Sequence, residues 1–197
     1  MVVRLLVATT NAGKVREIRE LLADIPYELV GLDRLPPIAP PEETGRTFAE
    51  NARAKALYYA AAAGELTVAE DSGLEIDALD GAPGVESARF GGTDTTYPQK
   101  FELIYQQLRE RGAASSTARF VCALAVARNG RIEFEATGSV EGAIAPEPSG
   151  AGGFGYDPIF FYPPFGCTLA EVAAERKSAV SHRGNAFRQL RAYLNQR

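Results

Sequence analysis

Apolar residues along the chain follow the repeat of a buried strand in some stretches and that of a helix in others. Val2 to Ala8 is a near-continuous apolar run, which is typical of a strand buried on both faces. A polar loop follows, and beyond it Val15, Ile18, Leu21 and Leu22 recur at helical spacing. The chain is therefore predicted to open with a strand, a polar loop and a helix.

The later pattern predicts a mixed α/β fold. Strand-like runs cover residues 27–32, 119–127 and 131–140, and helical patterns cover residues 47–63, 97–111 and 183–194. Asn129-Gly130, between two of the strands, is the strongest short hairpin signal. Because strand and helix alternate early and a long hairpin comes later, we expect an elongated mixed β-sheet flanked by helices. We expect residues 1–197 to form one domain of two lobes with a central cleft, a common place for ligands.

One stretch, residues 67–74, passes from β-branched and apolar residues into Glu70 and Asp71, followed by Ser72 and Gly73. This order predicts a buried strand that ends at a tight turn, with acidic groups at its carboxyl end. Open α/β sheets bind ligands at that end, and adjacent carboxylates can hold a divalent metal and polarise a water. The alternative is a surface turn, because Asp-Ser-Gly suits turns on conformational grounds alone.

The composition indicates a globular protein and argues against nucleic-acid-binding and membrane-spanning proteins. The 197 residues are 46% hydrophobic and 23% charged, as in ordinary globular proteins. A net charge of −4 and a pI near 5.2 argue against general nucleic-acid binding, which usually needs a basic surface. Cys122 and Cys167 match no zinc or haem spacing, and no apolar stretch approaches the ~20 residues of a membrane span. We therefore expect a soluble, cytoplasmic protein that binds neither nucleic acid nor membrane.

The loop Thr9-Thr10-Asn11-Ala12-Gly13-Lys14 has the composition of a phosphate loop without its full pattern. The Walker pattern would require glycine where Ala8 stands and a hydroxyl where Val15 stands. A polar loop that enters a helix N-terminus still offers backbone N–H groups and a favourable dipole to an anion, and Lys14 adds a cation. The alternative is plain helix capping by threonine or asparagine beside a solvated lysine.

The run Gly150-Ala151-Gly152-Gly153-Phe154-Gly155 matches the dinucleotide pattern G-x-G-x-x-G, but its context argues against that use. It follows two prolines rather than a strand, and a third proline stands where the helix would begin. Glycines here favour close approach of the backbone to a ligand. Phe154 or Tyr156 is available to stack on a flat ring, and Asp157 can orient a polar edge or the loop itself.

Two further groups carry candidate chemistry. Lys177, His182 and Arg183 precede the last predicted helix, and together they can donate hydrogen bonds to carbonyl and phosphate oxygens. The alternative is a capped helix with solvated neighbours. If the acidic loop at 42–43 returns over Asp71, one of its glutamates can share a metal with it, since Mg²⁺ usually takes one or two carboxylates plus substrate phosphates.

Seven motifs occur in order along nearly the whole chain. They are Thr9-Thr10-Asn11-x-x-Lys14, Glu43-Thr44-Gly45-x-Thr47-Phe48, Glu50-Asn51-Ala52, Glu70-Asp71-Ser72-Gly73-Leu74, Gly84-Val85-x-Ser87-Ala88-Arg89, Gly152-Gly153-Phe154-Gly155-Tyr156-Asp157-Pro158 and Lys177-x-x-x-Ser181-His182-Arg183. Together they resemble those of the inosine/xanthosine triphosphate pyrophosphatases, house-cleaning enzymes for non-standard purine nucleotides. No single motif is decisive, whereas seven in sequence are very specific.

The resemblance implies a two-lobed α/β fold around a long mixed sheet, and it implies a homodimer. It also implies the reaction that the protein catalyses. That reaction is Mg²⁺-dependent cleavage of a nucleoside triphosphate, such as ITP, dITP or XTP, to the monophosphate and pyrophosphate. Asp71 is implied to be the catalytic carboxylate, which ligates Mg²⁺ and activates water. Of the 42–43 pair, Glu43 is the expected second metal ligand.

The resemblance also implies a set of substrate-binding residues. Thr9, Thr10, Asn11, Ala12, Gly13 and Lys14 hold the triphosphate, Ser72, Phe154, Gly155, Tyr156 and Asp157 bind substrate, and Lys177, His182 and Arg183 read the base. Donors suit the 6-oxo acceptor of inosine and xanthosine, whereas adenine presents an amino donor at that position and would leave a buried donor unpaired.

The chain departs from the family at Glu70-Asp71, where Asp-Asp is common. Glutamate keeps the negative charge of the first aspartate but has a longer side chain. Two other functions stay open at this point. One is a non-catalytic nucleotide-binding module that has kept the pocket and lost the chemistry. The other is a pyrophosphatase that acts on modified pyrimidine nucleotides.

Overall fold

The computed structural model describes residues 3–196, which contain seven β-strands and five α-helices. The strands are β1 (Val3–Val7), β2 (Tyr27–Gly31), β3 (Leu66–Ile76), β4 (Thr117–Arg128), β5 (Arg131–Ile144), β6 (Phe160–Tyr162) and β7 (Cys167–Thr168). The helices are α1 (Ala12–Leu21), α2 (Phe48–Ala63), α3 (Tyr97–Glu110), α4 (Ala174–Val180) and α5 (His182–Leu194). None of the helices in this part of the chain is long and apolar enough to cross a membrane.

The strands form one mixed sheet in the order β2-β1-β3-β4-β5-β6-β7. β1 pairs in parallel with β2 and β3, so Leu5 lies between Leu29 and Leu66. β6 pairs antiparallel with both β5 and β7. Asn129 and Gly130 join β4 to β5 with φ angles of 51° and 72°, as a two-residue hairpin turn requires. The predicted α/β fold with a mixed sheet is confirmed.

The chain divides into two compact units, and each has its own hydrophobic core. The first unit contains residues up to Asp71, residues 122–138 and residues from His182 onward; the second contains residues 72–121 and 139–181. Buried side chains in the core of the first unit include Leu5, Ile18, Leu124, Phe187 and Leu190, and those of the second include Leu74, Ile76, Ile104, Leu108 and Phe160.

The predicted turn after Asp71 is wrong, because β3 continues through Ser72 and Gly73 to Ile76. Gly73 allows a close approach rather than a reversal of the chain. A Cβ atom at this position would lie 2.3 Å from Ser87 Oγ and 2.6 Å from the Gly84 carbonyl oxygen. The Ser87 hydroxyl accepts the backbone N–H of Leu74 at 2.9 Å, so the segment that would form a turn is held as strand by tertiary contacts.

Other predicted boundaries hold to within a few residues. Thr47 Oγ1 accepts the Glu50 N–H at 3.2 Å at the start of α2, and Gly64, with φ 67°, ends the helix. The last helix begins at His182, one residue before the predicted start. The seven-residue helix α4 and the two-residue strand β7 were not predicted, since elements this short show no measurable periodicity.

Candidate active site

Asp71 is the centre of a polar cluster in the first unit. β3 carries it, and only 6% of the residue is exposed. Its Oδ2 accepts a hydrogen bond from Asn51 Nδ2 at 2.9 Å, and its Oδ1 lies 3.3 Å from Lys55 Nζ. Burial raises the pKa of Asp71 above its usual value, although Lys55 and the Asn51 amide act in the opposite direction. A buried carboxylate with a raised pKa is a suitable acceptor for a proton from water.

Glu43 meets the same lysine. Lys55 Nζ donates to Glu43 Oε1 at 2.7 Å, so one ammonium group contacts the carboxylates of both Glu43 and Asp71. Asp71, the Lys55 side chain and Glu43 are buried or half-buried, whereas Glu42 is exposed. Of the two neighbouring glutamates, it is therefore Glu43 that reaches Asp71 through a common partner.

This carboxylate pair fits a hard divalent cation. Within residues 3–196 no group of three or more histidine, cysteine, aspartate or glutamate side chains is arranged to hold a metal ion. Mg²⁺, however, is usually bound through one or two protein carboxylates, with waters and substrate phosphates completing the shell. Glu43 and Asp71 already share one cation, the Lys55 ammonium. Their oxygen donors are of the kind that Mg²⁺ prefers.

Asn51 connects Asp71 to the loop that carries Glu43. Its Oδ1 accepts the Gly45 N–H at 2.8 Å while its Nδ2 donates to Asp71. A Cβ atom on Gly45 would lie 2.5 Å from Asn51 Oδ1, so glycine permits this approach. Asn51 and Lys55 are four residues apart on α2 and therefore lie on the same face of the helix.

Glu70, next to Asp71, has a different set of partners. The Arg183 guanidinium lies 3.1 Å and the Lys14 ammonium 3.1 Å from Glu70 Oε1, and Arg183 also donates to Glu17 at 2.6 Å. Burial alone would raise the pKa of Glu70, but Arg183 and Lys14 outweigh burial and hold it far below its usual range. Successive residues of a strand point to opposite faces, so the two adjacent carboxylates do not form one metal site as their sequence suggested.

The loop before α1 combines an exposed surface with a helix N-terminus. Asn11 is the N-cap, and its side chain accepts the Lys14 N–H at 3.1 Å, while its own N–H donates to Thr9 Oγ1 at 3.2 Å. Thr10, Asn11 and Ala12 are exposed, and Gly13 is half-buried. Both the predicted helix start and the capping are observed, and the N-terminal end of a ten-residue helix faces outward with Lys14 beside it.

A second cluster, within the second unit, surrounds Asp157. Its Oδ2 accepts the Phe154 N–H at 2.7 Å and a hydrogen bond from Lys177 Nζ at 2.6 Å. The Lys177 ammonium also lies 4.7 Å from the centroid of the Phe154 ring. Gly153 and Gly155 adopt φ angles of 68° and 69°, and a side chain on Gly153 would collide with the Asp157 carboxylate. Asp157 therefore orients the glycine loop itself.

Two predicted substrate contacts have other roles in this structure. Tyr156 is only 4% exposed, donates its hydroxyl to the Ser87 carbonyl at 2.8 Å, and packs edge-on against Tyr97. It therefore supports the loop and presents no open ring face, whereas Phe154 is half-buried. Arg183 is 1% exposed and directs its guanidinium at Glu70 and Glu17, which is the geometry of a buried ion pair.

The remaining candidates fall in both units. Ser72 is a half-buried residue of β3 in the second unit, and His182 is a buried residue at the start of α5 in the first.

Asn51 and Lys55 had no predicted role, although their i, i+4 spacing in a helix that follows the acidic loop was a usable signal. No sequence pattern indicated that Glu70, Lys14 and Arg183 would meet.

Comparison with known proteins finds relatives that match nearly the whole chain, in agreement with the family resemblance of the sequence motifs. Residues 5–193 match the Ham1 family. The chain is 46% identical over 187 residues to the dITP/XTP pyrophosphatase of Listeria monocytogenes, covering 95% of this chain and 92% of that protein. It is 46% identical over 193 residues to the dITP/XTP pyrophosphatase of Desulforamulus reducens, covering 98% and 96%. A HAM1 protein from Coxiella burnetii has a TM-score of 0.90 at 38% identity, covering 99% of this chain and 100% of that one. The chain therefore belongs to the Ham1 family.

Proposed function

We propose that this protein hydrolyses non-standard purine nucleoside triphosphates, namely ITP, dITP and XTP, to the monophosphate and pyrophosphate with Mg²⁺. The relatives at 46% identity bear the name dITP/XTP pyrophosphatase. The observation that carries the proposal is the buried Asp71 carboxylate, which shares the Lys55 ammonium with Glu43. This combination of a basic carboxylate and a second acidic ligand is what hydrolysis of a phosphoric anhydride requires.

Glu43 and Asp71 would hold the Mg²⁺ ion. When bound, the metal neutralises charge on the phosphate oxygens and lowers the pKa of a coordinated water. Asn51 supports the two carboxylates because one amide bonds to Asp71 and to the loop of Glu43. The amide thus holds Asp71 against the loop backbone two residues from Glu43.

The protein side chains then divide the work of the reaction. A water oxygen attacks the α-phosphorus while the bond from that phosphorus to the α,β-bridging oxygen breaks, and pyrophosphate leaves. Asp71 takes the proton from the attacking water. Lys14 and the backbone N–H groups at the start of α1 bind the phosphates and offset the charge that develops on them.

Base recognition is assigned to Phe154, Lys177 and His182. Phe154 offers a half-buried ring for stacking, and the lysine and imidazole supply donors for the 6-oxo group of hypoxanthine or xanthine. Adenine carries an amino donor there, and each buried donor left unpaired costs about 1–3 kcal/mol. Arg183 belongs to the same set, as the resemblance implies, and in this structure its guanidinium contacts Glu70 and Glu17.

The test is pyrophosphate release from ITP, dITP, XTP, GTP and ATP, each with Mg²⁺ and with EDTA. Metal-dependent turnover of the first three, with little of GTP and ATP, is the expected result. The matched control is Asp71→Asn, which should keep the circular-dichroism spectrum of the wild type and lose turnover. Tight ITP binding without pyrophosphate release by the wild type would instead identify a non-catalytic binding module, and preference for modified pyrimidine nucleotides would overturn the base assignment.

We also propose that the protein is a cytoplasmic homodimer, as its resemblance to the pyrophosphatase family implies. The chain mass is 21.1 kDa. Sedimentation equilibrium should therefore give twice this mass across the micromolar range, and a concentration-independent single-chain mass would contradict the dimer.

A further inference from the structure

The Lys55 ammonium lies where two acidic side chains meet. It is 2.7 Å from Glu43 Oε1 and 3.3 Å from Asp71 Oδ1, and the Lys55 side chain is only 12% exposed. Among the described residues, its hydrogen-bonding contacts are these two carboxylates. A shielded cation that bridges two carboxylates offsets part of the cost of holding both charges close together.

We propose that Lys55 acts as a resident counter-ion that competes with free divalent metal for Glu43 and Asp71, so that Mg²⁺ enters the site as its complex with the nucleoside triphosphate. The inference rests on the proposed function, because it takes this carboxylate pair to be the metal site. The inference adds that the metal and the nucleotide bind together. It also gives a role to Lys55, to which the sequence motifs assigned none.

Charge balance gives the physical reason. Glu43 and Asp71 carry two negative charges, and Lys55 already offsets one of them at hydrogen-bonding distance. A bare divalent ion must therefore either displace the ammonium or bind beside it, and like charges at such separation in a partly buried site repel strongly. A metal–triphosphate complex avoids this cost, because its phosphate oxygens accept the lysine's hydrogen bonds as the metal takes the carboxylates.

A supporting role for Lys55 would have the opposite consequence for metal binding. If the lysine only held the two carboxylates in place, removing it would let them separate and would weaken the metal site. If the lysine competes, removing it takes one positive charge away from two close carboxylates, and the affinity for free metal rises. Asn51 bonds to Asp71 and to the backbone of Gly45, so it holds Asp71 and the loop but makes no bond to the Glu43 carboxylate that would mask either outcome.

The experiment measures binding of Mn²⁺ alone, without nucleotide, by electron paramagnetic resonance titration of the free ion. The variants are Lys55→Met, which removes the ammonium, and Lys55→Arg, which retains a cation. Arg53→Met is the matched control, because Arg53 lies on the same helix, is exposed and pairs with Glu135 instead. We expect Lys55→Met to bind Mn²⁺ roughly tenfold or more tightly than the wild type, and Arg53→Met to bind it like the wild type.

Unchanged or weaker Mn²⁺ binding by folded Lys55→Met would overturn the inference, as would an equal gain in Arg53→Met. Circular dichroism establishes the fold, and Lys55→Gln serves as the second neutral variant. Adding Glu43→Gln to Lys55→Met should abolish the gain in affinity. Because no turnover is measured, failure here is distinct from failure of the proposed function, which depends on pyrophosphate release by the wild type.

Discussion

At the scale of single residues, the pKa values of two adjacent carboxylates, Glu70 and Asp71, are shifted in opposite directions. Glu70 is held ionised because Arg183 and Lys14 outweigh its burial, while the pKa of Asp71 is raised by burial that Lys55 and Asn51 offset only in part. The alternation of side chains along β3 separates their surroundings. One residue therefore serves as a fixed structural anion and its neighbour as a carboxylate able to accept a proton.

Glu43 and Glu42 provide a matched pair for testing the metal site. Glu43 reaches Lys55 and shares it with Asp71, whereas Glu42 is exposed. Glu43→Gln should raise the Mg²⁺ concentration for half-maximal turnover of ITP by roughly tenfold or more, because one of the two proposed carboxylate ligands is lost. Glu42→Gln should leave that concentration unchanged. An equal effect of both substitutions would show that Glu43 has no specific role.

At the scale of elements, α2 and β3 together build the carboxylate site. The capped start of α2 sets the positions of Asn51 and Lys55, one turn apart, and β3 brings Asp71 to them. β3 can pass beyond Asp71 because Gly73 lets the Gly84–Ser87 segment approach it. A turn would have been equally compatible with the local sequence, so packing decides the course of the chain here.

Gly73→Ala tests this packing. The added methyl would meet Ser87 Oγ and the Gly84 carbonyl oxygen, and because backbone must move, we expect a loss of about 1–3 kcal/mol in the free energy of unfolding. Guanidinium chloride titration would measure it. In Gly73→Ala combined with Ser87→Ala, the nearest of three close contacts, that with Ser87 Oγ, is removed, while those with Ser87 Cβ and the Gly84 carbonyl oxygen remain. The double variant should therefore lose less than the sum of the single losses. Strict additivity would contradict the proposed close approach.

At the scale of the whole molecule, the buried network around Glu70 joins four elements of the first unit. Lys14 and Glu17 come from α1, Glu70 from β3, Arg183 from α5, and the Cys122 thiol of β4 lies 3.5 Å from Glu70. Removing one partner of a buried ion pair leaves the other charge uncompensated. The network should therefore affect stability more than any surface ion pair of this protein.

Glu70→Gln should lower the free energy of unfolding at pH 7 by roughly 3 kcal/mol. Because the pKa of Glu70 lies below its unfolded value of about 4.3, its ionised form stabilises the fold above that pH. This contribution is lost as the pH falls toward the folded pKa. The difference between wild type and variant in guanidinium chloride titrations should therefore shrink below pH 4, and a constant difference would contradict the assignment.

Local patterns predicted much of the fold, and the reasons are visible in particular elements. Val3–Val7 is apolar apart from Arg4, α2 begins at a threonine cap and ends at Gly64, and Asn129-Gly130 has the residues that a tight hairpin needs. These features depend on neighbours a few residues away. The site was predicted less completely: the motifs named Glu43, Asp71 and Lys14, but they gave no partners to Asn51 and Lys55.

The sequence by itself determined which side chains are candidates for the chemistry and where most helices and strands begin, because capping, turn residues and hydrophobic periodicity act over short separations. Only the tertiary structure decided which side chains meet. It placed Lys55 between Glu43 and Asp71, turned Glu70 toward Lys14 and Arg183, and carried β3 past its predicted end. The physical reason is that ion pairing, burial and the pKa values that follow from them depend on distances between residues far apart along the chain, such as Glu17 and Arg183, which are 166 positions apart.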